Sequence, residues 1–153
     1  GQRLMAAIPD VTAALLLRVR SFSDVTALCP AARIRPEWPR KANGDVDIIV
    51  PPFVYYVLIS TGRGGPGEQA GARQQERVDI SCYGPDARTA MLLWRTLHYH
   101  LCPPIGSGRQ ASFTLGSCTV NAVNQEGGPN RLIDPDTSWP HVIGTYVVDY
   151  SQG

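Results

Sequence analysis

A chain of 153 residues, 43% hydrophobic and 18% charged, has the size and makeup of one globular domain, and folding buries about 68–70% of the unfolded surface at this length. A net charge of +1 leaves no basic footprint for tight nucleic-acid binding. The longest apolar run, Ile48 to Ile59, is broken by Pro51 and Pro52 and is too short to cross a membrane as a helix.

The first residues carry neither an apolar h-region nor a small-residue cleavage site, so no secretion signal is expected. Pro9-Asp10 predicts a helix start, because proline suits the first turn and an acid complements the helix dipole. Val11, Ala14, Leu15, Val19 and Phe22 recur at helical spacing and form one buried stripe. Leu15-Leu16-Leu17 is wider than that stripe, so part of this helix is expected to meet a second surface, such as another subunit. The helix is expected to end near Ser21 to Asp24.

Between Cys29 and Pro52 stand Pro30, Pro36, Pro39, Pro51 and Pro52. Proline removes backbone donors and blocks helix, so this stretch reads as an extended connection. Ile34 and Val46 to Val50 are expected as short edge strands. Phe53 to Thr61 is dense in β-branched and aromatic residues and predicts a strand that is covered on both faces. Gly62 to Gln75 has the composition of a flexible arm, so the flanking strands make a hairpin with a long mobile tip. Val78, Ile80 and Cys82 then alternate with Arg77, Asp79 and Ser81, the pattern of a half-buried strand.

A second helix is expected from about Pro85 to Leu101, with Ala87, Ala90, Met91, Trp94, Leu97 and Leu101 on its buried face. Arg88, Arg95 and His98 lie largely off that stripe, and Pro103-Pro104 stops the helix. Ser117 to Asn124 reads as a strand, Glu126 to Pro140 as a long turn-rich loop, and His141 to Tyr150 as the last strand. The expected architecture is α+β over residues 1–153 as a single domain, a mostly antiparallel sheet of about four to five strands with two helices packed on one face, long loops, and a mobile arm at 62–75.

Candidate chemistry is sparse. The four cysteines, Cys29, Cys82, Cys102 and Cys118, show no Cys-x-x-Cys spacing and read as buried free thiols of a reducing compartment. His98, His100 and Cys102 resemble a ligand set on paper, but residues two apart on a helix point to different faces and no fourth ligand follows. Asp134-Pro135-Asp136 lacks the ligand series and bidentate glutamate of a calcium loop and reads as a turn. The Gly62 segment lacks the Gly-Lys-[Ser/Thr] ending of a phosphate loop, and no Gly-x-Ser-x-Gly element is present. The expectation is therefore no catalytic residue, no metal and no cofactor, with function residing in surfaces for partners.

The order of these segments resembles the tail terminator, or tail completion, family of long-tailed bacteriophages. The resemblance is carried by the helix at Val11 to Phe22, the arginine-bearing Arg33-Ile34-Arg35, the proline-led strand Pro52-Phe53-Val54-Tyr55-Tyr56-Val57, and the strand Arg77 to Tyr83 leading into the alanine-bearing helix Asp86 to Leu101. The late strands Ser117 to Asn124 and Val142 to Tyr150 complete it. Pro39 to Pro51 and the 62–75 arm exceed the family's compact pattern. The resemblance implies a virion protein that is assembled in the bacterial host cytoplasm. It would be a homo-oligomeric ring, typically of six copies, capping the head-proximal end of the tail tube. Such a ring ends tube polymerisation and offers a surface to the head–tail connector or stopper, while DNA passes through its lumen without specific binding. Arg63, Glu68, Arg73, Arg77 and Asp79 are the expected salt-sensitive contacts to a neighbouring subunit or the tube. A head-completion or stopper protein and a tail-tube subunit are the nearest alternatives. A small cytoplasmic enzyme or ligand-binding domain is the alternative from another class.

Overall fold

The computed structural model describes residues 10–45, 55–61, 73–108, 112–116, 118–133 and 139–152. The expected edge strand at 46–50, the turn at 134–136, and Arg63 and Glu68 lie outside them. The fold is α+β. Helices α1 (Val11–Arg20), α2 (Ser23–Leu28) and α3 (Ala87–Leu101) accompany strands β1 (Ile34–Arg35), β2 (Tyr56–Thr61), β3 (Arg73–Tyr83), β4 (Phe113–Leu115), β5 (Cys118–Ile133) and β6 (Pro140–Gln152). One six-stranded sheet runs in the order β1-β2-β3-β6-β5-β4. All of its pairs are antiparallel except β1 with β2. The sheet thus holds six strands where four to five are expected from sequence, because the short edge piece β4 has no period of its own; β1 falls at the edge strand expected at Ile34.

Local chemistry explains the boundaries. Asp10 is the residue before α1, not part of its first turn, and its carboxylate accepts the Ala13 N–H at 2.9 Å, satisfying one of the donors a helix start leaves open. Asp86 does the same for α3: it accepts the Thr89 N–H at 2.8 Å while the Thr89 hydroxyl lies 3.2 Å from the Asp86 N–H, a reciprocal capping box. Gly84, just before it, is buried against the helix start. An added Cβ would lie 2.8 Å from the Ala90 nitrogen, so the sharp turn from β3 into α3 requires glycine there.

The loop expected from Glu126 to Pro140 is corrected. Strand β5 continues to Ile133, paired with β6 down to Ile133–Pro140. Three register shifts, between Val120 and Ala122, Gln125 and Gly127, and Gly127 and Asn130, absorb the residues that read as turn formers. Bulges let a strand carry glycine and proline while keeping its ladder. Gly128 has φ +84°, and a Cβ there would sit 2.5 Å from the Ile143 carbonyl oxygen. Likewise, β3 begins at Arg73, inside the segment expected as arm, because β6 extends to Gln152 and supplies a partner for each residue from Arg73 on. The short helix α2 was not visible as a separate element; the chain turns at Ser21 and Phe22 and restarts.

The two faces of the sheet have opposite character. Val57, Ile59, Val78, Ile80, Cys82, Val142, Tyr146 and Val148 point to the helix-covered side and belong to one core with Leu15, Val19, Leu93, Trp94 and Leu97. Helix α3 packs on the central strands β3 and β6, whereas α1 touches β1 and β2 at one edge and β4 and β5 at the other. The sheet therefore curls around its helical face, consistent with the native twist of strands. Two arginines of α1 tie the edges: the Arg20 guanidinium donates to the Ile34 carbonyl of β1 at 2.5 and 3.1 Å, and the Arg18 guanidinium lies 4.8 Å from the ring centre of Phe113 in β4. Leu16 is buried and Leu17 is half exposed, so the leucine run widens the buried stripe by one residue.

At the centre of the curl the Trp94 indole packs on Gly144, where an added Cβ would stand 2.6 Å from its nitrogen. Gly144→Ala is expected to cost about 1–3 kcal/mol by overpacking, read as a lower urea midpoint, and Trp94→Leu in the same chain should recover part of it. An unchanged midpoint would show that the contact yields freely. Arg20→Met is expected to cost about 1–3 kcal/mol, because a part-buried carbonyl loses its charged donor; calorimetry on the pair R20M and R18M would separate the two edge ties.

Candidate functional site: the open face of the sheet and the clefts beside helix α3

The face opposite the helices carries two of the expected contact residues, Arg77 and Asp79. Arg77 and Asp79 alternate with core residues on β3, and register places them opposite Val147 and Thr145 of β6. Arg77 grips Glu126 of β5 through two hydrogen bonds, Nε to Oε2 at 3.0 Å and the terminal nitrogen to Oε1 at 2.6 Å. Asp79 accepts the Thr145 hydroxyl at 2.9 Å. The two side chains thus brace three neighbouring strands within the chain. Arg77 stays about a third exposed, so such a pair contributes modestly, on the order of 0.2–1 kcal/mol. Arg73 has its backbone in β3, paired with Ser151.

One end of the same face is roofed by aromatic rings that the sequence reading missed. Trp38, from the proline-rich connection, lies 4.6 Å from Tyr56, 4.7 Å from Tyr83 and 5.8 Å from Trp139, centre to centre. His141 stacks on Tyr83 at 4.6 Å. The available signal was parity: Tyr56 and Tyr83 fall out of phase with the core residues of their strands, and they face each other in register. Aromatic pairs of this geometry stabilise beyond their area alone. They fasten the connection after β1 onto the sheet.

The three histidines serve packing and not a ligand set. His100 contacts the Asp24 carboxylate at 2.7 and 2.9 Å and stacks on Phe22, holding α2 against α3. His98 stacks on Trp94 and places Nδ1 2.8 Å from the Tyr146 hydroxyl. It therefore leans toward the core, although its position reads as off the buried stripe. Among the described residues no group of three His, Cys, Asp or Glu side chains is arranged to hold a metal ion.

The thiols are poor nucleophiles. All four cysteines are free. Burial pushes Cys29 up to about 12 against the smaller pull of Arg33; it pushes Cys118 up to about 11, with Asp10 and Glu76 adding to the rise. Cys82, fully enclosed, is raised well above its ordinary value, with Cys29 nearby as a second cause. Cys102 is raised by burial, and its thiol donates to the Val123 carbonyl at 3.2 Å. Reactive cysteines need the opposite surroundings.

Open clefts flank α3 on its outer side. One of about 510 Å³ is lined by Asp24, Thr96, Tyr99, Pro104 and Ser107. Another of about 300 Å³ is lined by Arg88, Thr89, Leu92 and Arg95. No protein-family model matches the chain, and none of the curated proteins is significantly similar to it.

Burial holds His98 below its ordinary imidazole value of 6.5. A folded-state value below the unfolded one means that the unfolded chain binds more protons, so this contribution to stability is complete above pH 6.5 and is lost as pH falls toward the folded value. The stability advantage of the wild type over His98→Gln, measured by urea unfolding, is expected to shrink as pH drops from about 7.5 to about 5. A constant difference would remove His98 from the acid response.

Proposed function

We propose that this chain is a structural protein of a bacteriophage neck, the subunit of a ring that caps the tail tube, ends its polymerisation and receives the head connector. The observation that carries the reading is the order of elements around the Gly84-Pro85-Asp86 junction. Helix, short arginine-bearing strand, hydrophobic strand, hairpin, capped helix and paired late strands follow one another as the tail terminator resemblance calls for.

Physical features support it. The chain offers faces and edges for partners. Among the described residues, the outer edge of β5 is paired only from Cys118 to Val120, and β1 pairs only with Val57 and Leu58 of β2. Two dissimilar edges on one subunit are the raw material of a heterologous interface, and such interfaces close into rings when the rotation permits. A near-neutral subunit, net charge +1, suits a passage through which DNA slides, since few phosphate contacts mean weak binding.

The test is electron microscopy of lysates in which this gene is disrupted in its own phage. Overlong or ragged tubes apart from DNA-filled heads are the expected outcome, reversed when the gene is supplied in trans. Normal-length tails beside emptied heads would move the protein to the head side of the neck, as a stopper. Intact infectious virions would discard the neck reading in favour of a binding module or enzyme.

A further inference from the structure

We propose that the outer face of α3 is a docking site for an acidic amphipathic helix of a partner protein. This stands on α3 alone and holds or fails independently of the neck reading.

Helix α3 carries two stripes. One is buried: Ala90, Leu93, Trp94, Leu97 and Leu101. The other is Arg88, Leu92, Arg95 and Tyr99, all exposed, with Leu92 51% and Tyr99 52% accessible. Their spacing of four, three and four residues places them within one narrow sector, since each residue advances the helix by about 100°. It is also the spacing with which one helix meets another along a seam. The stripe is about 16 Å long at 1.5 Å per residue, roughly three turns, and the clefts of about 300 and 510 Å³ lie along it. Those hollows fit side chains from an opposing helix, the mode in which an amphipathic helix lays its anchors into a groove.

Charge identifies the occupant. Arg88 and Arg95 stand two turns apart on the seam and form no ion pair among the described residues. The nearby acids are engaged: Asp86 accepts the Thr89 N–H and Asp24 is held by His100. A helix with carboxylates seven residues apart and apolar side chains between them meets both arginines while covering Leu92 and Tyr99. A second copy of α3 fits poorly, because the seam contains arginines and no acid, so self-pairing sets like charges against each other.

The probe is a lactam-bridged helical peptide of about 18 residues, near 27 Å long, with glutamates seven apart and leucines on the same face; a second version carries lysines instead. Fluorescence anisotropy and amide chemical-shift mapping on the full chain give the readout. The expected result is that the acidic peptide shifts resonances along Arg88 to Tyr99, that Arg88→Glu with Arg95→Glu weakens it by about tenfold or more, and that the lysine peptide regains binding to that double variant. Leu92→Asn with Tyr99→Ser, which keeps both charges, should also weaken the acidic peptide. No binding of the acidic peptide, shifts away from α3, or equal binding of both peptides to wild type would overturn the proposal. So would arginine-dependent binding of phosphatidylserine vesicles or of a single-stranded oligonucleotide that the peptide does not displace. Concentration-dependent dimerisation abolished by Leu92→Asn would reassign the face to a second copy.

Discussion

Helix α1 touches both margins of a single sheet, and most of the architecture follows from that. A sheet of six strands left open would be twisted but shallow. Here Arg20 reaches the backbone of β1, Arg18 reaches the ring of Phe113 in β4, and Leu15 and Val19 fill the space between. The ties are short and polar, whereas the filling is apolar and indifferent to direction. Together they convert a hydrophobic layer into a defined curl. Helix α3 can then lie across β3 and β6 only because Gly144 lets the Trp94 ring approach the sheet.

That division assigns labour to the two sides. The enclosed side takes the thiols, the Tyr146 ring and the strand residues of even parity in β6. The other side is polar, cross-braced by Arg77 with Glu126 and Asp79 with Thr145, and roofed at one end by indoles and phenols. Charge on this side is used first to fix strand register, since a one-residue slip would separate every one of these pairs.

The sequence made some of this readable and hid the rest for physical reasons. Helical spacing located α1 and α3 well, because their buried stripes and the aspartates Asp10 and Asp86 are local signals. Period-two alternation found β3 for the same reason. The far half of β5 was read as loop, because Gln125 to Asn130 contains glycine and proline and its pairing is supplied by β6, a long-range partner that no window of sequence contains. Strand β4 is too short for a period, and α2 is hidden behind a single turn at Phe22. The contact residues Arg77 and Asp79 were legible as a polar face, yet their engagement with Glu126 and Thr145 depends on register between distant strands. On α3 the exposed arginines were visible, but Leu92 and Tyr99 pass for core in any tally of hydrophobic residues until the helix is oriented.

Strand β6 is the last strand in chain order and lies between β3 and β5 in the sheet. During synthesis, at roughly 5–20 residues per second, everything up to Ile133 emerges while the middle of the sheet is still missing. The earlier pieces are then the β2–β3 hairpin with its helices on one hand and, on the other, β5 paired only with the short β4. Neither half has a surface in its final form. The curl, the braces on its polar side and the seat of α3 all depend on β6. A chain that stops short of Pro140 therefore lacks the strand that joins the two halves of the sheet.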